Sequence, residues 1–256
     1  MVSRRASRAA AAALALALGT SAHAQFNVAE IDFSTDDVDL TSAESLELEL
    51  QVADPEALAA RFANSTVAVR DRSADSLVIA VDRRARFTAA PDAGHLAASF
   101  VIDFDEPAVK KLRPEADGPA TPAALSDLVF TAIPEKTQER GFDIASQAAR
   151  SGEGDCTEHA VLTAAVARAQ GLPARVVVGV VLLAMAEKNA AFGHAWSEVF
   201  VDEQWQIVDA TQLQREATNV FYVPIGTIDN EGPGYAFSLV DTLRVMPMRL
   251  AARDAR

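Results

Sequence analysis

The chain holds a single cysteine, Cys156, in the stretch Gly154-Asp155-Cys156-Thr157-Glu158-His159-Ala160. Gly152 and Gly154 precede it, and an apolar run from Ala160 to Ala169 follows. That run leaves almost no polar face and reads as a buried helix. Gly171 and Pro173 stop it. Cys156 then lies at or beside the helix N-terminus. Free backbone N–H groups and the positive end of the helix dipole favour a thiolate there. A thiolate so placed is a nucleophile for carbonyl carbon. A cysteine that merely packs as a small hydrophobe belongs in the middle of the apolar run.

Two further residues complete a set. Phe192 to Val201 reads as a strand, Asp202-Glu203 as a two-residue turn, and Trp205 to Thr211 as a second strand. With that turn, Val201 pairs with Gln204. Counting back, Trp196 faces Asp209 and His194 faces Thr211. Side chains alternate along a strand, so His194, Trp196, Asp209 and Thr211 share one face. His194 and Asp209 become diagonal neighbours, within reach of each other. A Cys, a His and an orienting Asp are the parts of an activated thiol nucleophile.

With these residues the chain resembles the transglutaminase-like superfamily of papain-type cysteine enzymes. The likeness rests on GDCTEHA and the helix after it, on GLPARVVVGVV, and on FGHAWSEVFVDEQWQIVDAT. It runs from about Phe142 to Thr211, and the intervals between the three motifs suit the family. The resemblance implies Cys156 as nucleophile, His194 as base and Asp209 as orienter. It also implies amide or peptide bonds as substrate, an acyl-enzyme, and an α+β papain/transglutaminase-like core whose Cys helix packs on an antiparallel sheet. In an exported setting water is always at hand, so hydrolysis is favoured over amine transfer. The alternatives are a non-catalytic binding domain of the same fold, or a zinc site using Cys156, His159 and His194.

Other residues near these motifs read as supports. His159 competes with His194 as base, but a base in the helix's own second turn points into the packing behind the thiol. Trp196, on the His194 face, is a site-shielding or substrate-binding residue. Glu198, two residues on, reads as a support that bonds the Cys loop. Asp155 reads as the helix cap. The backbone N–H of Cys156 is the expected oxyanion donor. Gln138 and Gln147 are the nearby glutamines, and neither stands at the short spacing papain-type enzymes use. There is no phosphate-binding glycine loop and no dinucleotide fingerprint, so no cofactor is expected, and no metal under the main reading.

Residues 1–24 read as a secretory signal peptide. Arg4, Arg5 and Arg8 are its basic start, Ala9 to Leu18 its apolar centre, and Ala22-His23-Ala24 its cleavage site. The expected location is periplasmic or secreted, with no stable membrane insertion, because the apolar run is short for a span. The formal net charge is −13 over 256 residues, and loss of an arginine-bearing leader makes it more acidic. Such a surface argues against nucleic acid and anionic lipid as partners. A peptide or protein amide substrate is the expected partner.

The remaining patterns divide the chain. Residues 25–104 read as a small β-rich unit. Its strands are Leu46 to Val52, Val67 to Val69, Ser76 to Val81 and Ala98 to Phe104, and one short helix starts at Pro55 behind Asp54. Asn64-Ser65-Thr66 matches a glycosylation sequon, which in a chain of bacterial style carries no weight. Residues 105–121, rich in proline and charge, read as a linker. Residues 122–256 read as the transglutaminase-like domain. Helices are expected from Pro122 to Ala132, from Ile144 to Ala149 and from Tyr235 to Val240. Ala174 to Ala184 reads as a strand buried on both faces, and further strands are expected at Val220 to Ile225 and Thr242 to Leu250.

Overall fold

The structure, a computed structural model, describes residues 30–256 apart from 36–37, 64, 113–119, 138–141, 186–187, 216 and 229–230. The expected leader, the sequon asparagine, Gln138 and residues 113–119 of the expected linker lie outside the described residues. No helix among the described residues is long and apolar enough to cross a membrane.

In chain order the elements are β1 (Glu30–Ser34), β2 (Ser45–Gln51), α1 (Pro55–Phe62), β3 (Ala68–Arg72), β4 (Ser76–Asp82), α2 (Pro107–Lys110), α3 (Pro122–Ala132) and β5 (Glu135–Lys136). There follow α4 (Ala145–Ser151), β6 (Glu153–Gly154), α5 (Cys156–Ala169), β7 (Ala174–Ala184), β8 (Asn189–Val201), β9 (Gln204–Val208), β10 (Asn219–Thr227), α6 (Tyr235–Leu243) and β11 (Arg249–Ala255). The protein is α+β. Its main sheet runs β10-β7-β8-β1-β11-β2-β4-β3, with β9 also on β8. All pairings in it are antiparallel except β1 with β11. Through β1 and β11 the strands of the amino-terminal stretch extend the sheet that carries the Cys helix.

The sheet curls, and its apolar faces close on two main cores. Val176 and Val178 of β7 pack with Ala160, Val161, Ala164 and Ala165 of α5. Val180 and Leu182, further along β7, pack instead with Leu48, Leu50, Leu58 and Ile79 of the amino-terminal strands and α1. Val181 and Leu183 point the other way, onto Leu213 and Val220. This is why β7 reads as an unbroken apolar run: both faces are covered.

Helix α5 is fixed at both ends. At its start the Asp155 carboxylate accepts from Thr157 N, while the Glu158 side chain accepts from Asp155 N, which is a capping box. At its end Leu172 N donates to Ala167 O and Gly171 N to Arg168 O, with Gly171 left-handed at φ +78°. That is a Schellman close. In its last turn Arg168 is buried, bonded to Ala174 O and by both terminal nitrogens to Glu231.

Two expected strands differ. Ala98 to Phe104 is not a strand. Val101 N donates to Glu231 O, Val101 O accepts from Ala145 N, and Asp103 Oδ1 accepts from Ser146 N. Its polar backbone is therefore spent on a loop and on the start of α4, while Val101 and Ile102 plug the α5 core. Thr242 to Leu250 begins as the end of α6, and only Arg249 onward joins the sheet, as β11.

The turn between β8 and β9 is the two residues Asp202 and Glu203, both left-handed at φ 54° and 61°. Their left-handed pair suits the twist of a tight hairpin. The register is Val201↔Gln204 through Ser197↔Val208. On the same side of β8, β1 pairs only at Ala191 and Phe192. Between these two partners, the edge of β8 over 193–196 meets no strand among the described residues. His194 lies in that opening.

Gly179, opposite His194 in the register, has no room for a side chain. A Cβ there would lie 2.1 Å from Val223 O and 2.9 Å from Trp196 Cη2. Gly179→Ala must push β10 off β7 or tilt Trp196. A loss of about 1–3 kcal/mol, the usual range for overpacking, is expected in urea denaturation. An unchanged midpoint would mean that the strands do not approach so closely.

Candidate active site

Cys156 is the first residue of α5 and 7 % exposed. The residues before it serve its placement. Gly154 is required because a Cβ there would fall 2.4 Å from Glu158 Cβ. Glu158 is fully buried and its Oε1 also accepts from Asp143 N at 2.8 Å. It thus ties the entry of α4 to the start of α5, and burial pushes its carboxyl upward despite those bonds. Asp155 is the cap. The motif around the cysteine is therefore mostly the apparatus of one helix end.

His194 and Asp209 meet as the hairpin register requires. His194 Nε2 lies 2.9 Å from Asp209 Oδ2, which leaves Nδ1 for Cys156, whose thiol also acts to raise His194. Asp209 Oδ2 also accepts from the Tyr222 hydroxyl at 2.8 Å. Asp209 Oδ1 accepts from Thr211 N at 3.0 Å and Thr211 Oγ1 at 2.6 Å. Ser126 of α3 holds its main-chain carbonyl at 3.0 Å. Burial alone pushes His194 down, but the charge and hydrogen bond of Asp209, with those of Cys156, outweigh it and hold His194 up at about 10. Burial raises Asp209, but the charge and bond of His194 and the bonds from Thr211 and Tyr222 prevail and bring it to about 2. At neutral pH the pair is an imidazolium on a carboxylate.

Trp196 is buried, its ring 6.2 Å from His194 and 5.1 Å edge-on to Tyr222. Its ring stacks near the His194 imidazole at an interplanar angle of 22°. Glu198 does not reach the Cys loop. It lies across from Arg175, whose Nε and guanidinium terminus donate to Glu198 Oε2 at 2.8 and 2.6 Å. Those two residues are register partners on β7 and β8, so the carboxylate finds its cation on the neighbouring strand.

His159 points behind the thiol. Its Nδ1 bonds Asp155 O at 2.6 Å and its Nε2 bonds Lys136 Nζ. With both ring nitrogens engaged, His159 is not assembled with Cys156 and His194 as a zinc set. No group of three or more His, Cys, Asp or Glu among the described residues is arranged to hold a metal ion. Gln147 sits on α4.

Tyr222 and Lys136 went unread in the sequence. Tyr222 sits on β10, reached only through the sheet order, and nothing local marks it. Lys136 sits in a two-residue strand beside the Cys loop. Thr211 carries a local sign, an Asp-x-Thr turn in which the carboxylate bonds the backbone two residues on.

The family model for the transglutaminase-like superfamily matches residues 108–210, a span that contains Cys156, His194 and Asp209. Over these residues the chain is similar to the transglutaminase-like superfamily. Among solved structures, the chain is similar to a putative cysteine protease from Cytophaga hutchinsonii, at 14 % identity over 82 % of this chain and 81 % of that one, with a TM-score of 0.43. It is also similar to the periplasmic domain of TgpA from Pseudomonas aeruginosa bound to ethylmercury, at 17 % identity over 73 % of this chain and 86 % of that one, with a TM-score of 0.42. No curated protein matches it.

The His194–Asp209 pair has a stability signature. A histidine held up from 6.5 to about 10 adds stability that is complete below pH 6.5 and lost as pH rises through 10. A carboxyl held down from 3.8 to about 2 adds stability that is complete above pH 3.8 and lost as pH falls through 2. The stability gap between wild type and Asp209→Asn should therefore be widest between pH 3.8 and 6.5 and narrow towards pH 10. Urea titrations at stepped pH read it. A gap that stays level from pH 6 to 10 would show that Asp209 does not hold His194 charged.

Proposed function

We propose that this chain is an exported cysteine hydrolase that cleaves amide or peptide bonds through Cys156, His194 and Asp209. The supporting observation is the line of contacts from a cysteine at a helix start, through His194, to a carboxylate held by four donors. The superfamily match supports the fold in which such chemistry occurs. Export rests on the leader read in residues 1–24.

The chemistry follows from the arrangement. Cys156 Sγ, as thiolate, attacks the substrate carbonyl carbon, and the carbonyl oxygen takes the negative charge. The backbone N–H of Cys156, at the start of α5, donates to that oxygen. The tetrahedral intermediate collapses by breaking the C–N bond, and the His194 imidazolium gives its proton to the departing amine. A thioester remains on Cys156. Neutral His194 then takes a proton from water, whose oxygen attacks the thioester carbonyl. The C–S bond breaks, the acid leaves, and the thiolate–imidazolium pair is restored. Asp209 accepts the imidazole N–H throughout, fixing the ring angle and supporting its charge. Trp196 shields the pair.

Intact-mass analysis after treatment with a thiol-reactive amide analogue should give one adduct, on Cys156. Cys156→Ala should fold as wild type and lose turnover of a peptide or amide substrate. Retained turnover would remove Cys156 as nucleophile. Asp209→Asn should lower turnover by orders of magnitude, about 10⁴-fold in a comparable triad, and affect substrate affinity far less. Added to His194→Ala it should cost little more, because residues acting as one unit are not additive. A double variant showing the full product of both losses would mean that Asp209 works apart from His194.

A further inference from the structure

The peptide unit that joins Asp155 to Cys156 has two ends. Its N–H is the donor assigned above to the developing oxyanion. Its C=O accepts from His159, by Nδ1 at 2.6 Å and by the backbone N at 3.2 Å. We propose that Lys136 and His159 form a hydrogen-bonded relay that orients and polarises this peptide, so that the N–H of Cys156 binds the oxyanion more strongly. The inference rests on the cysteine-hydrolase reading and makes both residues positioning residues, since neither touches the substrate.

The geometry sets the direction of each bond. An ammonium only donates, so Lys136 Nζ donates to His159 Nε2. The ring proton of neutral His159 is then on Nδ1 and is donated to Asp155 O. Burial and the Lys136 charge push His159 down to about 4, so it stays neutral through the working range and the tautomer is fixed. Lys136 is held in place by its own contacts. It pairs in register with Gly154, its Nζ donates to Ile133 O at 3.0 Å, and it lies 4.6 Å from the Phe130 ring centre.

A peptide is a resonant plane. Strong donors on its oxygen draw electron density from nitrogen and sharpen the N–H as a donor, and bonds in a chain polarise one another. A charge at the head of the chain strengthens each link. The plane also fixes direction: in a trans peptide the N–H points opposite the C=O. Holding the carbonyl towards His159 therefore aims the N–H away from the helix body. Burying an ammonium against an imidazole costs desolvation, a cost that plain packing at these positions would avoid.

The relay has its own pH dependence. Burial lowers Lys136 to about 8, against the pull of Asp209. The titratable or charged groups that act on this pair are Asp155 and Asp209, which both favour the charged form of His159. Below about pH 8 the relay is headed by a cation, and above it by a neutral amine.

Two reactions of Cys156 separate the relay from the thiolate. Alkylation by iodoacetamide displaces iodide at a saturated carbon and forms no oxyanion. Acylation by a p-nitrophenyl ester passes through one. Lys136→Met should slow acylation roughly tenfold, less than the ~100-fold loss of a whole oxyanion donor, and leave alkylation within about twofold. Wild-type acylation should fall as pH rises through 8 while alkylation does not. Lys136→Arg should keep the acylation rate and lose that fall. His159→Phe should match Lys136→Met, with the double variant no slower than either. Equal loss of both reactions in Lys136→Met, or loss of neither, would overturn the relay. Wild-type protein that is alkylated at Cys156 but never acylated would overturn the hydrolase reading itself, and the relay with it.

Discussion

A carboxylate buried in the sheet organises this site. Asp209 is 4 % exposed, and an unpaired charge at that depth would cost several kcal/mol. Its two oxygens accept four hydrogen bonds, from His194, Tyr222, Thr211 N and Thr211 Oγ1. Each donor comes with a structural demand. His194 demands the β8–β9 register, Tyr222 demands that β10 lie two strands away on β7, and Thr211 demands the turn that ends the hairpin. The same charge holds His194 as an imidazolium beside Cys156. Stability of the sheet and the charge on His194 thus draw on one electrostatic arrangement.

The helix that carries Cys156 follows a matching logic. A helix start leaves N–H groups without partners. Asp155 satisfies Thr157 N, and Glu158 reaches back to Asp155 N and out to Asp143 N. Gly154 exists to make room for Glu158. These bonds spend the polar groups around the helix end on structure and fix Cys156 at its first position. Burying Glu158 raises its carboxyl, a local cost that the bonds from Asp143 N, Asp155 N and Thr157 Oγ1 reduce.

The curled sheet explains how a cysteine on a helix meets a histidine on a strand. Where β1 leaves β8 and before β9 joins it, the strand edge is open, and His194 falls in that gap. Small residues let the layers close around it. Gly179 lets β10 and Trp196 approach β7, and Ser197 packs its hydroxyl on Ala160 O at 2.6 Å. At the outer edge of the sheet β10 offers little pairing. Pro224 has no N–H, and Val220 N is taken by the Asn219 side chain at 3.0 Å.

Much of this was legible in the chain because it is local. The apolar run after Cys156, its glycine stop, the cap of α1 and the two-residue turn at Asp202-Glu203 all act within a few residues. The hairpin count placed His194 beside Asp209 because strand alternation is strict and a short turn fixes register. Glu198 was misjudged because the same face holds Arg175 on the next strand, and a facing cation wins over a distant loop. Ala98 to Phe104 looked like a strand, since alternation records burial and not the partner that takes the backbone bonds. Tyr222, the Lys136–His159 contact and the joining of the amino-terminal strands through β1 and β11 depend on segments far apart in sequence. Only tertiary packing decided them, because a hydrogen bond between remote residues leaves no period in either segment.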